Sequence, residues 1–279
     1  SDGTLVKYKP EIGLLLSIDK DHKELEELFT IFETFKNNCK QSFIVNQSHT
    51  LAKRFSKNIQ VDFGNHTRFE GTHFQQQGFH ITFEVQSLIC KIPTIGIHNM
   101  ENALACMAVA DLLGVNIAQC INALANYEGI YRRHQLLGIK KGITVIDDYA
   151  HNPAKIAASI KACQPVAKKL IAWFQPHGYG PTRFIRKELV TEIASSLRPQ
   201  DEIWMSEIYY AGGTAVKDIS ANDLIQDLKA LGVHAYFVEE RTTLFEQLLP
   251  TLTDDTVLLL MGARDPGLEK FSKSVYEMI

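Results

Sequence analysis

The second half of this 279-residue chain repeats one pattern five times: a short apolar run, then an amphipathic stretch of helix length. The apolar runs predict strands at 143–146, 170–174, 202–206, 235–238 and 257–261. The intervening stretches predict helices at 153–163, 182–197, 221–231, 242–252 and 266–278. Strands that alternate regularly with helices form a parallel sheet covered by helices on both faces. We therefore predict a doubly wound α/β domain for residues 131–279.

The first half follows a different pattern, and we predict a second domain for residues 1–130. Its helices and strands alternate less regularly, and alternating apolar positions between residues 59 and 92 predict antiparallel hairpins. The other expected elements are strands at 12–18 and 43–46, a helix that contains 25–35, and helices at 99–113 and 117–127.

Composition limits the class of protein. The formal net charge is -3, whereas a dedicated nucleic-acid-binding protein needs a basic excess, so we expect no nucleic-acid partner. The apolar runs are too short to span a bilayer, so we expect no membrane partner. Five widely spaced cysteines fit neither a disulfide framework nor zinc spacing, which indicates a cytoplasmic protein with reduced thiols.

Polar side chains gather where two of the predicted strands end. The stretch Asp147–Pro153 (Asp-Asp-Tyr-Ala-His-Asn-Pro) follows one strand, and Gln175-Pro-His follows the next. Ligands of open parallel sheets bind beyond the carboxyl ends of the strands, so we predict a functional site there. The alternative is that Asp147 or Asp148 only caps the following helix.

Three other features are candidates for ligand contacts. Asn99 and Asn102 lie one turn apart near a predicted helix start, where both amides can face a ligand or where Asn99 is a plain cap. Arg132-Arg133 is a surface pair or a phosphate clamp at the domain junction. His22 is a candidate metal ligand, although a lone histidine is more often structural.

Taken in order, these motifs resemble those of the Mur ligase family over nearly the whole chain. The matching stretches are 18–22 (Ile-Asp-Lys-Asp-His), 96–104 (Gly-Ile-His-Asn-Met-Glu-Asn-Ala-Leu), 132–133, 147–153, 174–177 and 261–263. The resemblance implies that 1–130 is the latter part of a central ATPase domain and that 131–279 is a Rossmann-like C-terminal ligase domain. It also implies ATP-dependent amide formation in peptidoglycan precursor synthesis. There an amino acid, L-alanine by resemblance, is joined to a UDP-N-acetylmuramate-type carboxylate through an acyl phosphate.

The resemblance also implies roles for individual residues. His22 resembles a magnesium-associated histidine, so Mg²⁺ is an expected cofactor. The nucleotide contacts expected for ATP are His98, Asn99, Asn102, Arg133 and Asp148. The residues expected to take part in catalysis are Arg133, Asp148 and His151.

Two departures from the family pattern bear on function. No Gly-Lys-Ser/Thr phosphate-binding motif occurs, so we expect a fragment that lacks the P-loop and the UDP-binding segment and is inactive alone. Gly178 and Pro181 stand where the most similar family members have arginines, so the acceptor stays open. The alternatives are a related ligase with another acceptor, as in peptide recycling, or a non-catalytic nucleotide- or partner-binding module.

Overall fold

A computed structural model describes residues 3–19, 24–210, 212 and 214–279 of the chain. It divides into two compact units, Ser1–Glu128 and Gly129–Ile279. Within the described ranges, no helix is both long enough and apolar enough to cross a membrane.

The described residues of the first unit form two small sheets and three α-helices. Its elements are β1 (Ile12–Leu15), α1 (Leu25–Asn38), β2 (Ser42–Val45), β3 (Thr72–Gln77), β4 (His80–Val85), β5 (Leu88–Ile92), α2 (Ile97–Leu112) and α3 (Ile117–Leu124). β1 and β2 pair in parallel, and β3, β4 and β5 form an antiparallel meander that confirms the predicted hairpins. The first strand is shorter than predicted, since it ends at Leu15.

Two apolar clusters hold this unit together. One joins β1 and β2 to α1 and is centred on Leu28, Phe43 and Phe55. The other packs the inner face of the meander, including Ile81 and Phe83, against α2. The alternating exposure of β4 follows from the pleat, which sends successive side chains to opposite faces.

The second unit is built on one six-stranded sheet. Its elements are β6 (Gln135–Lys140), β7 (Ile143–Asp148), α4 (Pro153–Cys163), β8 (Lys169–Gln175), α5 (Tyr179–Ser196), β9 (Glu202–Ser206), α6 (Ala221–Ala230), β10 (His234–Val238), α7 (Leu244–Leu248), β11 (Thr256–Gly262) and α8 (Leu268–Met278). The strand order is β10-β9-β8-β11-β7-β6, and every pair is parallel except β6–β7. One face of the sheet packs against α7 and α8. α4 contacts β8 and β11, α6 contacts β9 and β10, and α5 contacts both α4 and α6. The predicted α/β architecture is confirmed.

Two elements differ from the sequence prediction. β6 was not predicted: it is an antiparallel edge strand with a register shift between Leu136 and Gly138 and an irregular burial pattern. The helix predicted at 242–252 is only five residues long, because Pro250 lies in a 3-10 turn that follows α7. Proline lacks the N–H that would continue the α-helical hydrogen bonding.

The register of the sheet brings three strand ends to one level. Asp148 of β7 and Phe174 of β8 both lie opposite Met261 of β11, and Gln175 lies opposite Gly262. We use the term strand-end rim for the residues that close these three strands, 147–151, 175–178 and 262–265.

Candidate functional site

Arg132 ties the connector before β6 to the strand-end rim. Its guanidinium donates to both carboxylate oxygens of Asp147, at 3.0 and 3.4 Å, and to the carbonyl oxygen of Gly262 at 3.0 Å. Both side chains are buried, and burial raises the pKa of Asp147 although Arg132 opposes that rise. In this structure Arg132 is therefore engaged by groups of the second unit itself, and the hypothesis of a phosphate clamp falls to Arg133.

Asp148 holds the same connector by a second set of contacts. Its carboxylate accepts hydrogen bonds from the backbone N–H groups of His134 (2.9 Å) and Ala150 (2.7 Å). The His134 imidazole lies 3.3 Å from the same carboxylate, and burial lowers the pKa of that histidine although Asp148 opposes the shift. Neither aspartate caps α4: that role belongs to Asn152, whose side chain accepts from the N–H of Lys155 at 3.0 Å.

Arg133 stands between these two anchored residues and faces outward. Arg132 and His134 both have positive φ angles, 54° and 45°, which turn the connector sharply on either side of it. The Arg133 side chain is exposed, and its guanidinium lies 5.4 Å from the ring centroid of Tyr149. The fold thus presents one arginine of the pair to solvent at the strand-end rim.

Two histidines lie side by side at the rim. The ring centroids of His151 and His177 are 5.7 Å apart, and Tyr149 meets His151 edge-on at 5.6 Å. His151 Nδ1 is 2.9 Å from the carbonyl oxygen of Tyr149. The structure therefore brings together the predicted residues Arg133, Asp148 and His151 within one unit, with His177 beside them.

The remaining carboxylates near the rim are also engaged. Asp265 pairs with Arg241 and accepts from the N–H of Gly267 at 2.7 Å. Glu207, which follows β9, accepts from the Ser220 hydroxyl at 2.5 Å. The acidic side chains that end β7 or follow β9 and β11 are thus all bound by donors of the chain itself, and exposed positive charge is left at Arg133 and Arg264. This arrangement favours an anionic ligand, since a guanidinium can bind a carboxylate or phosphate through two hydrogen bonds.

The candidate residues of the first unit lie at the start of α2. The helix begins at Ile97 after Gly96, whose φ is 87°, so the alternative that Asn99 is a plain cap is wrong. The Asn99 amide instead donates to Thr94 Oγ1 and to the carbonyl oxygen of Ile95, at 2.9 and 2.8 Å.

Asn102 is exposed and donates to the side-chain oxygen of Asn99 at 3.3 Å, whereas His98 is half-buried. The two asparagines therefore form a contiguous amide pair on the first turn of α2.

A polar cluster beside α2 was missed at the sequence level. His49 Nε2 lies 3.6 Å from a carboxylate oxygen of Asp19, and its Nδ1 accepts from the N–H groups of Leu51 and Ala52. Burial raises the pKa of Glu101, although His49 and a hydrogen bond from Asn46 oppose the shift. These residues are far apart in the chain, and no local spacing would have grouped them.

A metal site is not apparent in the described part of the chain. No group of three or more histidine, cysteine, aspartate or glutamate side chains there is arranged to hold an ion. His22, the predicted magnesium-associated residue, lies outside the described residues, so its role stays a prediction.

Comparison with known proteins gives the family. Residues 1–110 match the Mur ligase middle domain, and residues 132–264 match the Mur ligase glutamate ligase domain. The UDP-N-acetylmuramate--L-alanine ligases of Nostoc punctiforme and Geobacter sulfurreducens are 31% and 30% identical over 94% of this chain. The chain spans only 57% and 60% of their respective lengths.

Solved structures share the fold. A crystal structure of UDP-N-acetylmuramate-alanine ligase from Thermotoga maritima superposes with a TM-score of 0.75 at 24% identity, covering 99% of this chain and 61% of that one. MurF ligase from the same organism, solved in complex with ADP, gives a TM-score of 0.72 at 15% identity, covering 99% of this chain and 65% of that one. The chain therefore has the α/β fold of the Mur ligase middle and C-terminal domains. The chain belongs to the Mur ligase family and carries its middle and C-terminal domains.

Proposed function

We propose that the protein containing this chain is an ATP-dependent amide ligase of peptidoglycan precursor synthesis in the cytoplasm. It joins L-alanine to the carboxylate of a UDP-N-acetylmuramate-type substrate. Family membership and the names of the relatives support the substrates, and the ADP bound by one structural neighbour supports the nucleotide. The observation that carries the proposal is the rim itself: its carboxylates are engaged while Arg133 and Arg264 are exposed.

The proposed reaction has two steps. The γ-phosphoryl group of ATP passes to the substrate carboxylate, which gives an acyl phosphate and ADP. The amine of the amino acid then attacks the acyl carbon, the C–N bond forms, the C–O bond to phosphate breaks, and the amine loses a proton. Negative charge accumulates on the phosphoryl oxygens, so positive charge placed near them stabilises the transition state.

Within this proposal Arg133 contacts the phosphates, because its guanidinium is exposed and the connector is fixed on both sides of it. His151 is the candidate to accept the proton of the attacking amine, since a neutral imidazole can act as a base near neutral pH. The nucleotide contact of Asp148 stays a prediction. In the described conformation its carboxylate also positions the connector that carries Arg133.

The first unit supplies the other proposed nucleotide contacts, His98, Asn99 and Asn102 at the start of α2. Mg²⁺ enters the proposal as the counter-ion of the ATP phosphates, where it would neutralise their charge.

The test uses the full-length gene product that contains this chain. With Mg·ATP, UDP-N-acetylmuramate and L-alanine, we expect phosphate release together with a UDP-linked product heavier by one alanine residue. The chain of residues 1–279 alone is the control. It has no Gly-Lys-Ser/Thr motif, so we expect no ATP-dependent phosphate release from it. Failure of the full-length protein to form any amide product from UDP-N-acetylmuramate and an amino acid would overturn the proposal.

A further inference from the structure

Arg264 has an unusual backbone conformation at the strand-end rim. Its φ is 68°, in the left-handed region that residues with a side chain seldom occupy. The N–H of Asp265 donates to the carbonyl oxygen of Ala263 at 2.9 Å, which closes a three-residue γ-turn around Arg264. A turn of this hand is rare and strained, and such strain concentrates at functional sites.

The loop is held firmly on both sides of the arginine. Before it, the carbonyl oxygen of Gly262 accepts a hydrogen bond from the guanidinium of Arg132. After it, the Asp265 carboxylate pairs with Arg241 and accepts from the N–H of Gly267. The turn therefore cannot relax without breaking buried contacts, and the exposed Arg264 side chain projects from a fixed base.

The neighbouring loop after β8 contains no arginine or lysine. It consists of Pro176, His177 and Gly178, and the first turn of α5 that follows it contains Gly180 and Pro181, which carry no charge. Arg183, the nearest arginine in that segment, is paired with Asp218 and donates to the carbonyl oxygen of Val216. Because β11 lies between β7 and β8, Arg264 projects from the middle of the rim.

We propose that Arg264 binds the α-carboxylate of the acceptor amino acid and so determines acceptor specificity. This inference rests on the proposed ligase function. An amino acid that reacts through its amine keeps a carboxylate that does not react, and a site that encloses it must neutralise that charge. A guanidinium meets this need with two parallel hydrogen bonds, which a lysine ammonium cannot reproduce.

The test combines one substitution with a substrate that lacks the carboxylate. Arg264→Gly removes the guanidinium, and glycine adopts a φ of 68° without steric cost, so the fold is retained. In the full-length protein we expect the KM for the amino acid to rise about 10- to 100-fold, the range expected for a lost charge-assisted contact. The KM for ATP should stay unchanged, and Arg264→Lys should recover only part of the affinity.

L-Alaninamide supplies the decisive comparison. Wild-type enzyme should strongly prefer L-alanine over its amide, and Arg264→Gly should lose that preference because the amide never used the guanidinium. If the wild type is active and Arg264→Gly leaves the KM for the amino acid unchanged, this inference is overturned and the proposed function is not. A rise in the KM for ATP instead of the acceptor would also overturn it, since Arg264 would then bind phosphate. Inactivity of the wild type with every amino acid tried would overturn the proposed function and this inference with it.

Discussion

The adjacent residues Arg132 and Arg133 differ in burial, since Arg132 is buried and Arg133 is exposed. We therefore expect their substitutions to change the stability of the protein by very different amounts. Arg132→Ala leaves the buried carboxylate of Asp147 without its cationic partner, which costs about 3–5 kcal/mol of stability. Arg133→Ala removes an exposed side chain, so the free energy of unfolding should change by no more than about 0.5 kcal/mol. Denaturant titration of the two variants measures both effects.

Turnover provides the matching functional comparison in the full-length protein. Arg133→Ala should reduce turnover strongly while the protein stays folded, because the proposed phosphate contact is lost. If Arg133→Ala were destabilised as much as Arg132→Ala, or if it kept full activity, the assignment of the exposed arginine would be wrong.

Asp201 directly precedes β9 and contacts three other parts of the second unit, namely the turn after α4, the start of β8 and the segment after α5. It accepts hydrogen bonds from the N–H of Leu170, from the amide of Gln164 and from the Arg198 guanidinium. Burial raises the pKa of Asp201, but these donors outweigh it, and the net shift is downward from 3.8. A carboxyl group whose pKa is lower in the folded state stabilises the fold above its unfolded pKa and loses that effect as the pH falls.

We therefore expect Asp201→Asn to lower the free energy of unfolding by about 3–5 kcal/mol at neutral pH. The difference between wild type and variant should shrink as the pH falls below about 4, the ordinary range of an aspartate. Urea titrations of both proteins at several pH values measure this difference in the free energy of unfolding. A difference that stays constant down to pH 2 would show that the lowered pKa does not contribute.

The elements of the second unit were predictable to different degrees. β7, β8, β9 and β11 are buried along nearly their whole length, so each is recognisable in the sequence by a predominantly apolar centre. β6 has no such signal, because as an edge strand it mixes exposed and half-buried positions around Gly138. The sequence also indicated residues 147–151 as part of a candidate site, because polar side chains stand at the end of a predicted buried strand.

Other contacts could not be read from the sequence because they join distant residues. The pairing of Arg132 with Asp147 and the cluster of His49, Asp19 and Glu101 depend on how strands and helices come together. Local patterns identify which side chains end an element, but they do not show which donors neutralise them.

Each unit of the molecule has apolar clusters of its own, so we expect two separable unfolding transitions for residues 1–279. Gly13→Ala should lower the temperature of the transition that belongs to the first unit. A Cβ at Gly13 would lie 2.4 Å from Cys39 Sγ and 2.8 Å from a ring carbon of Phe43, and such overpacking costs about 1–3 kcal/mol.

The control for that substitution lies in the other unit. Gly180 is in the first turn of α5, and a Cβ there would meet no atom within 4 Å. Gly180→Ala should therefore raise the temperature at which the second unit unfolds, because alanine favours the helix by about 0.5–1 kcal/mol relative to glycine. Calorimetry of both variants distinguishes the outcomes. A single transition that both substitutions move would mean that the two units unfold as one.

The position of β11 in the sheet has a consequence for how the protein is made. β11 is the last of the described strands, yet it lies between β7 and β8, which were synthesised more than eighty residues earlier. While the ribosome is still translating residues 176–255, the facing edges of β7 and β8 have no partner. Unpaired strand edges of this kind attract other chains, so the nascent second unit is most exposed to aggregation until β11 is inserted between them.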